Sequence, residues 1–288
     1  MKNIGTISLG VKAPIIRPGD DLVEITAECV MKAAKEAKIK LKDRDIVAVT
    51  EAVVAKSQGN FATVDDIATD VRAKMGEGKI GVILPILSRN RFSNILKGIA
   101  RGCDSLVIQL SYPFDEVGNP LVSIVRLNGL GITNFNKTYT NKQFYKLVGK
   151  IEHPFTGLDY IDYYKQICGE KCQIILSNDP TTILKYTKKV ISADIHSRHR
   201  NKNLLLSRGA KKVITLDEIL NAPVNGSGYN EEYGVLGSNL STDEKLKLFP
   251  RDTKSFVKKL QKKLNEVSGV KMECMVYGDG AFKDPVGG

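Results

Sequence analysis

Tryptophan is missing from this chain, histidine occurs three times and cysteine five times in 288 residues, and each scarcity closes off a class of function. Proteins that grip single-stranded nucleic acid interleave basic residues with aromatic stacking surfaces. Here the lysines run along helical segments instead (Lys32, Lys35, Lys38 and Lys40; Lys258, Lys259, Lys262 and Lys263), and no nucleic-acid motif is present. The net charge of +11 therefore reads as solvation and attraction for anionic small molecules, and nucleic acid is not expected as a partner.

Cys168 and Cys172 lie four apart, but neither His153 nor any other cysteine completes a zinc-type spacing. The cysteines are expected to be reduced structural thiols. His196 and His199 can share a helix face, yet no third histidine is in reach. No Ser-His-Asp or Cys-His arrangement stands out, which argues against hydrolysis by covalent catalysis. The longest apolar run, from Ile80 to Leu87, has the length of a buried strand and not the ~18–20 residues that span a bilayer. With no signal-type stretch at the N-terminus, the chain is expected to be cytoplasmic and to engage no membrane.

What is present is the pattern of an α/β protein. Asp20 or Asp21 caps a helix over about 22–37, with Leu22, Ile25, Cys29 and Val30 at helical spacing. A buried strand follows in 43–50, and Val53, Val54 and Ala55 read as its apolar continuation. Strand-like runs at 80–86, 105–110, 173–177, 190–195 and 212–216 alternate with helical segments at 92–101, 180–186 and 198–207, the signature of parallel strand–helix units. A lysine-rich amphipathic helix at 253–267 and a strand at 271–276 close the reading.

Five loops carry residue types suited to chemistry. Ser88, Arg89, Asn90 and Arg91 sit between a strand and a helix N-terminus, where backbone donors and guanidinium groups suit a phosphate; a plain cap with solvated arginines fits equally. Asp115 and Glu116 offer carboxylate oxygens for Mg²⁺ or Mn²⁺, or an acidic turn. Arg198 or Arg200 is placed to clamp a carboxylate or phosphate, against the alternative of a solvated basic helix start. The segment 225–239 has four glycines but matches neither the Walker A nor the G-x-G-x-x-G pattern, so it is a weak phosphate signal or a structural loop. Finally Asp279 and Asp284, five apart in a glycine-containing loop, form a second carboxylate pair for a hard cation, or a polar turn.

The opening sixty residues carry a resemblance. Arg17-Pro18-Gly19-Asp20-Asp21-Leu22, then Asp45-Ile46-Val47-Ala48-Val49-Thr50-Glu51, then Val54-Ala55-Lys56-Ser57-Gln58-Gly59 resemble coenzyme F-420 γ-glutamyl ligases in order. Later segments, SRNRFSNILKGIARG, QLSYPFDEVGNP, NGSGYNEEYG, LFPRD and YGDGAFKDPVGG, resemble a bacterial branch of that family. The resemblance implies a mixed α/β two-domain fold of the γ-glutamyl ligase type, not of the Rossmann type, with several parallel strand–helix units, in an intertwined homodimer.

It implies that L-glutamate is added to a carboxylated acceptor, coenzyme F-420-0 or a related cofactor, through an acyl phosphate, with GTP as co-substrate and Mg²⁺ or Mn²⁺. By that analogy Asp115, Glu116, Asp279 and Asp284 hold metal, and Lys56, Arg89 and Arg91 contact phosphate or carboxylate. The middle of the chain lacks the family's glycine- and aspartate-containing nucleotide motifs, so a folate-type γ-glutamyl ligase and a catalytically silent nucleotide- or metabolite-binding protein stand as alternatives. The expected division is 1–79, 80–270 and 271–288, the last being the start of a C-terminal segment cut short.

Overall fold

The structure, a computed structural model, describes residues 5–153 and 156–278. From the N-terminus the chain forms α1 (Leu22–Glu36), β1 (Ile46–Thr50), α2 (Glu51–Ser57), β2 (Phe61–Thr63), α3 (Val64–Met75), β3 (Lys79–Ile83), α4 (Arg89–Arg101) and β4 (Ser105–Leu110). It continues with α5 (Ile124–Gly129), β5 (Tyr139–Thr140), α6 (Asn141–Val148), α7 (Tyr160–Cys168), β6 (Cys172–Leu176), β7 (Lys189–Ser192), α8 (Arg198–Ser207) and β8 (Lys212–Thr215). Last come β9 (Asn239–Thr242), β10 (Lys245–Lys247), α9 (Thr253–Ser268) and β11 (Glu273–Tyr277).

These elements form an α/β protein of two compact units, one built from the described residues 5–60 and 250–278, the other from Phe61–Phe249. The units thus meet at 60 and 250, where the sequence suggests 79 and 270. The cause is a long-range pairing: β11 lies parallel to β1, with Ile46 opposite Glu273 and Thr50 opposite Tyr277. Parallel pairing requires a crossover, and here the whole second unit is inserted in it.

In the first unit α1 and α9 pack together and α9 covers β11. Leu260 and Leu264, one turn apart on α9, are fully buried against Leu22, Ala27, Val47, Val49 and Val54. Burying each such leucine contributes about 1.5–3 kcal/mol, and the lysines fall on the outer face by the same periodicity. The stretch 53–55 is helix, not strand. Thr50 accepts a hydrogen bond from Val53 N, and the helix formers Glu51 and Ala52 follow it, so β1 stops and α2 starts with no loop between them.

The second unit is organised on a six-stranded sheet of order β5-β6-β4-β3-β7-β8. All pairs are parallel except β5 with β6. The central strands β3 and β4 are buried on both faces, as their largely apolar runs require. The chain moves outward from β3 through β4 to β6 and then returns to β7 on the other side of β3. This is the strand order of a doubly wound sheet, and it supplies the parallel strand–helix units that the sequence pattern predicts. The β6–β7 connection carries only a 3-10 turn, Pro180–Lys185. A separate antiparallel sheet, β2-β10-β9, completes the unit. Among the described residues no helix is long and apolar enough to cross a membrane.

Candidate functional site

The first unit holds a cavity of about 450 Å³ where three segments distant in sequence meet. The first is the turn before α1. Arg17 N donates to Asp20 Oδ2 at 2.7 Å, Gly19 adopts φ +91°, and Asp21 Oδ1 caps α1 by accepting from Val23 N and Glu24 N at 3.1 Å. The left-handed φ explains the glycine, since a Cβ there is strained. The second segment is the end of α2: Ser57 O accepts from Gly19 N at 2.8 Å, locking the turn to the helix. The third enters α9. Asp252, itself in the left-handed region at φ 46°, caps the helix through Ser255 N at 3.2 Å.

The lining is of mixed character. Asp20, Asp21 and Asp252 supply carboxylates, Lys259 an ammonium, Gln58 an amide, and Ser57 and Ser255 hydroxyls, over a floor of Leu22, Val23, Val54 and Phe256. Two helix N-termini open onto it. A ligand bearing charges of both signs meets a partner for each there, which is the chemistry of an amino acid or of a phosphorylated carboxylate with its counter-charges. The sequence signals for this site are the RPGDD turn and the SQG after α2. Asp252 closes the LFPRD segment of the resemblance, whereas Ser255 and Lys259 carry no such signal, because a lysine-rich helix start reads as solvated surface.

The residues expected to bind phosphate lie elsewhere or are otherwise engaged. Lys56 is exposed on α2 beside Ser57 and is not among the residues lining the cavity. Arg89, Asn90 and Arg91 form the half-buried first turn of α4. Three backbone donors around this turn have acceptors within the protein. Leu87 N donates to Asp115 Oδ2 at 2.8 Å, Ser88 N to Tyr164 Oη at 3.2 Å, and Arg91 N to Ser88 Oγ at 3.3 Å. Arg198 is an ion-pair partner: its Nε donates to Asp217 Oδ1 at 2.7 Å and its Nη1 to Ile195 O.

The Asp115–Glu116 pair does not fit a divalent cation. Asp115, only 6% exposed, accepts from Leu87 N, Val117 N, Asn119 N and Asn119 Nδ2, so its lone pairs organise the turn. Glu116 reaches across to accept from Ile195 N and His196 N. Burial raises the pKa of both carboxyls against the lowering effect of these bonds. Among the described residues no group of three His, Cys, Asp or Glu side chains is placed to hold a metal. Asp279 and Asp284 lie outside the described residues. Two glycines of 225–239 serve packing: a Cβ on Gly237 falls 2.2 Å from the Phe249 ring, and one on Gly234 falls 2.3 Å from Ile219 O.

At the carboxyl end of β7 sits Asp194, 1% exposed, accepting from Ser192 Oγ at 2.6 Å and Asn201 Nδ2 at 3.1 Å. Desolvation pushes its carboxyl above the ordinary range. Asn201 Oδ1 is buried with no hydrogen-bond partner among the described residues. A raised folded-state pKa means the folded protein holds the proton more tightly, so stability falls as pH rises from the unfolded value of about 4 through the folded value. Asp194→Asn stays neutral and offers an N–H to Asn201 Oδ1. Its melting temperature should therefore gain on wild type as pH rises through that window; parallel curves for the two proteins would remove Asp194 as the cause.

The family model described as F420-0:Gamma-glutamyl ligase matches residues 10–288 of the chain. The coenzyme F420:L-glutamate ligase of Methanosarcina acetivorans is 34% identical over 84 residues, which cover 28% of this chain. The match spans 30% of that relative's length.

Proposed function

This chain belongs to the F420-0:gamma-glutamyl ligase family, and from that we propose that it is a nucleotide-dependent ligase joining L-glutamate to a carboxylated acceptor. GTP phosphorylates the acceptor carboxylate to an acyl phosphate, releasing GDP. The α-amine of L-glutamate then attacks the acyl carbon, an amide forms, and phosphate leaves. Such chemistry is chiefly positioning and charge neutralisation, and it needs no protein nucleophile.

The single observation that carries the reading is the convergence of Gly19-Asp20-Asp21, Ser57-Gln58 and Asp252-Ser255 on one mixed-charge cavity. The first two stretches lie within the opening segments that resemble the ligases, and the third begins in LFPRD, which resembles the bacterial branch. The acceptor is coenzyme F-420-0 or a related cofactor. Mg²⁺ or Mn²⁺ accompanies the nucleotide in this reading, with Asp279 and Asp284 as proposed ligands, since the Asp115 and Glu116 carboxylates are engaged by backbone donors. A homodimer belongs to the same reading, supported by the exposed, alternating Ile7, Leu9 and Val11, a strand-like pattern with one apolar face.

The test is glutamate-dependent release of GDP and phosphate across a panel of acceptors that includes coenzyme F-420-0 and folates, on protein sized by light scattering. Amide product with one acceptor is the expected result. GTP and L-glutamate binding with no turnover on any acceptor would instead identify a catalytically silent binding protein, and a single-chain mass would remove the dimer.

A further inference from the structure

A primary amide presents one acceptor and one donor in the same arrangement as a peptide group, and Gln58 uses it that way. Its Oε1 accepts from Arg251 N at 2.8 Å and its Nε2 donates to Arg251 O at 2.6 Å, across 193 residues of sequence. The next residue, Asp252, is the left-handed cap from which α9 starts. The preceding residue, Ser57, accepts from Gly19 N. Two adjacent residues at the end of α2 thus hold the two other walls of the cavity, and Gln58 lines it as well.

We propose that Gln58 is a positioning residue of the reaction, fixing through the Arg251 backbone the first turn of α9 and with it the places of Asp252, Ser255 and Lys259 around the bound substrate. This rests on the ligase reading. A side chain serving only stability could do so with any good packing. A two-point splice to the N–H and C=O of a single residue, one position ahead of a strained cap, holds the chain to the narrow tolerance that ligand positioning demands.

The neutral glutamic acid side chain copies this amide, with its carbonyl accepting and its hydroxyl donating. The ionised form loses the donor and sets a charge against the Arg251 carbonyl. In Gln58→Glu, therefore, pairing favours the protonated form, raises the pKa of the new carboxyl and is lost as pH rises through it. Asp20, Asp21 and Asp252 share the cavity and push that pKa further up; Lys259 in the cavity and Lys56 on the same helix oppose them.

Wild type, Gln58→Glu and Gln58→Ala are compared as folded proteins, with melting temperatures measured alongside. At about pH 8, KM for L-glutamate or for GTP is expected to rise about tenfold or more in both variants, while kcat per folded molecule changes about threefold or less. At about pH 5.5 the Gln58→Glu defect relative to wild type should shrink and that of Gln58→Ala should persist. Unchanged KM for both substrates beside a lowered melting temperature would mean a purely structural role and overturn the proposal. If wild type turns over no acceptor, the ligase reading fails by itself. Calorimetry with GTP and L-glutamate then decides: weaker binding by Gln58→Ala supports positioning, whereas equal binding, or no binding of either probe by wild type, overturns it.

Discussion

Gly234→Ala is expected to remove about 3 kcal/mol or more of folding stability, read as a lower urea midpoint at unchanged slope. Gly234 has φ +49°, and a Cβ there falls 2.3 Å from Ile219 O and 2.6 Å from Asp217 O. The left-handed backbone alone costs an alanine about 1–2 kcal/mol. The contacts add more, because the atoms in the way are main-chain oxygens and not the ends of flexible side chains. Gly234 N also donates to Asn230 O at 2.9 Å, so the turn cannot move aside without losing that bond. Against a total of about 5–15 kcal/mol for a domain this is a large fraction. Gly226, at φ +77° with nothing within 4 Å of its Cβ position, is the control: alanine there should cost only about 1 kcal/mol. Equal losses at the two positions would show that backbone strain, and not crowding, governs this loop.

Arg198→Ala is expected to cost about 2–4 kcal/mol with little change in KM. The guanidinium and the Asp217 carboxylate are 18% and 13% exposed, and removing the cation leaves a largely buried anion beside the half-bonded Ile195 carbonyl. Arg200, exposed in the same first turn of α8, should tolerate alanine within about 0.5 kcal/mol. The opposite outcome, an unchanged melting temperature with weakened substrate affinity in Arg198→Ala, would restore Arg198 to the role of a ligand clamp.

The contrast between these arginines shows where sequence reading stops. Both follow a buried strand, both begin a helix, and either suits an anion. What separates them is Asp217, nineteen residues further on, whose approach depends on how α8 packs against β8. Asp115 repeats the lesson. Its position after a strand suggested a metal ligand, and the turn from Val117 to Asn119 was legible as a turn. Its fourth partner, Leu87 N, comes from a different strand end, and only the parallel pairing of β3 with β4 brings that donor close.

Helices, strands and the α/β class followed from local chemistry. Asp21 caps α1 because a short carboxylate at a helix start satisfies free N–H groups, and β3 and β4 are mostly apolar because both their faces are covered. Even 180–186 was read as helical, although it closes as a tighter 3-10 turn. By itself, then, the sequence determined the class, most element positions, the RPGDD turn and the family. The tertiary structure alone decided that the chain's last strand returns to its first, that the units divide at 60 and 250, and that Gln58 meets Arg251. Periodicity and capping act over a few residues and are written locally. A cavity wall is made by residues 193 apart in sequence, and their meeting depends on the packing of every element between them.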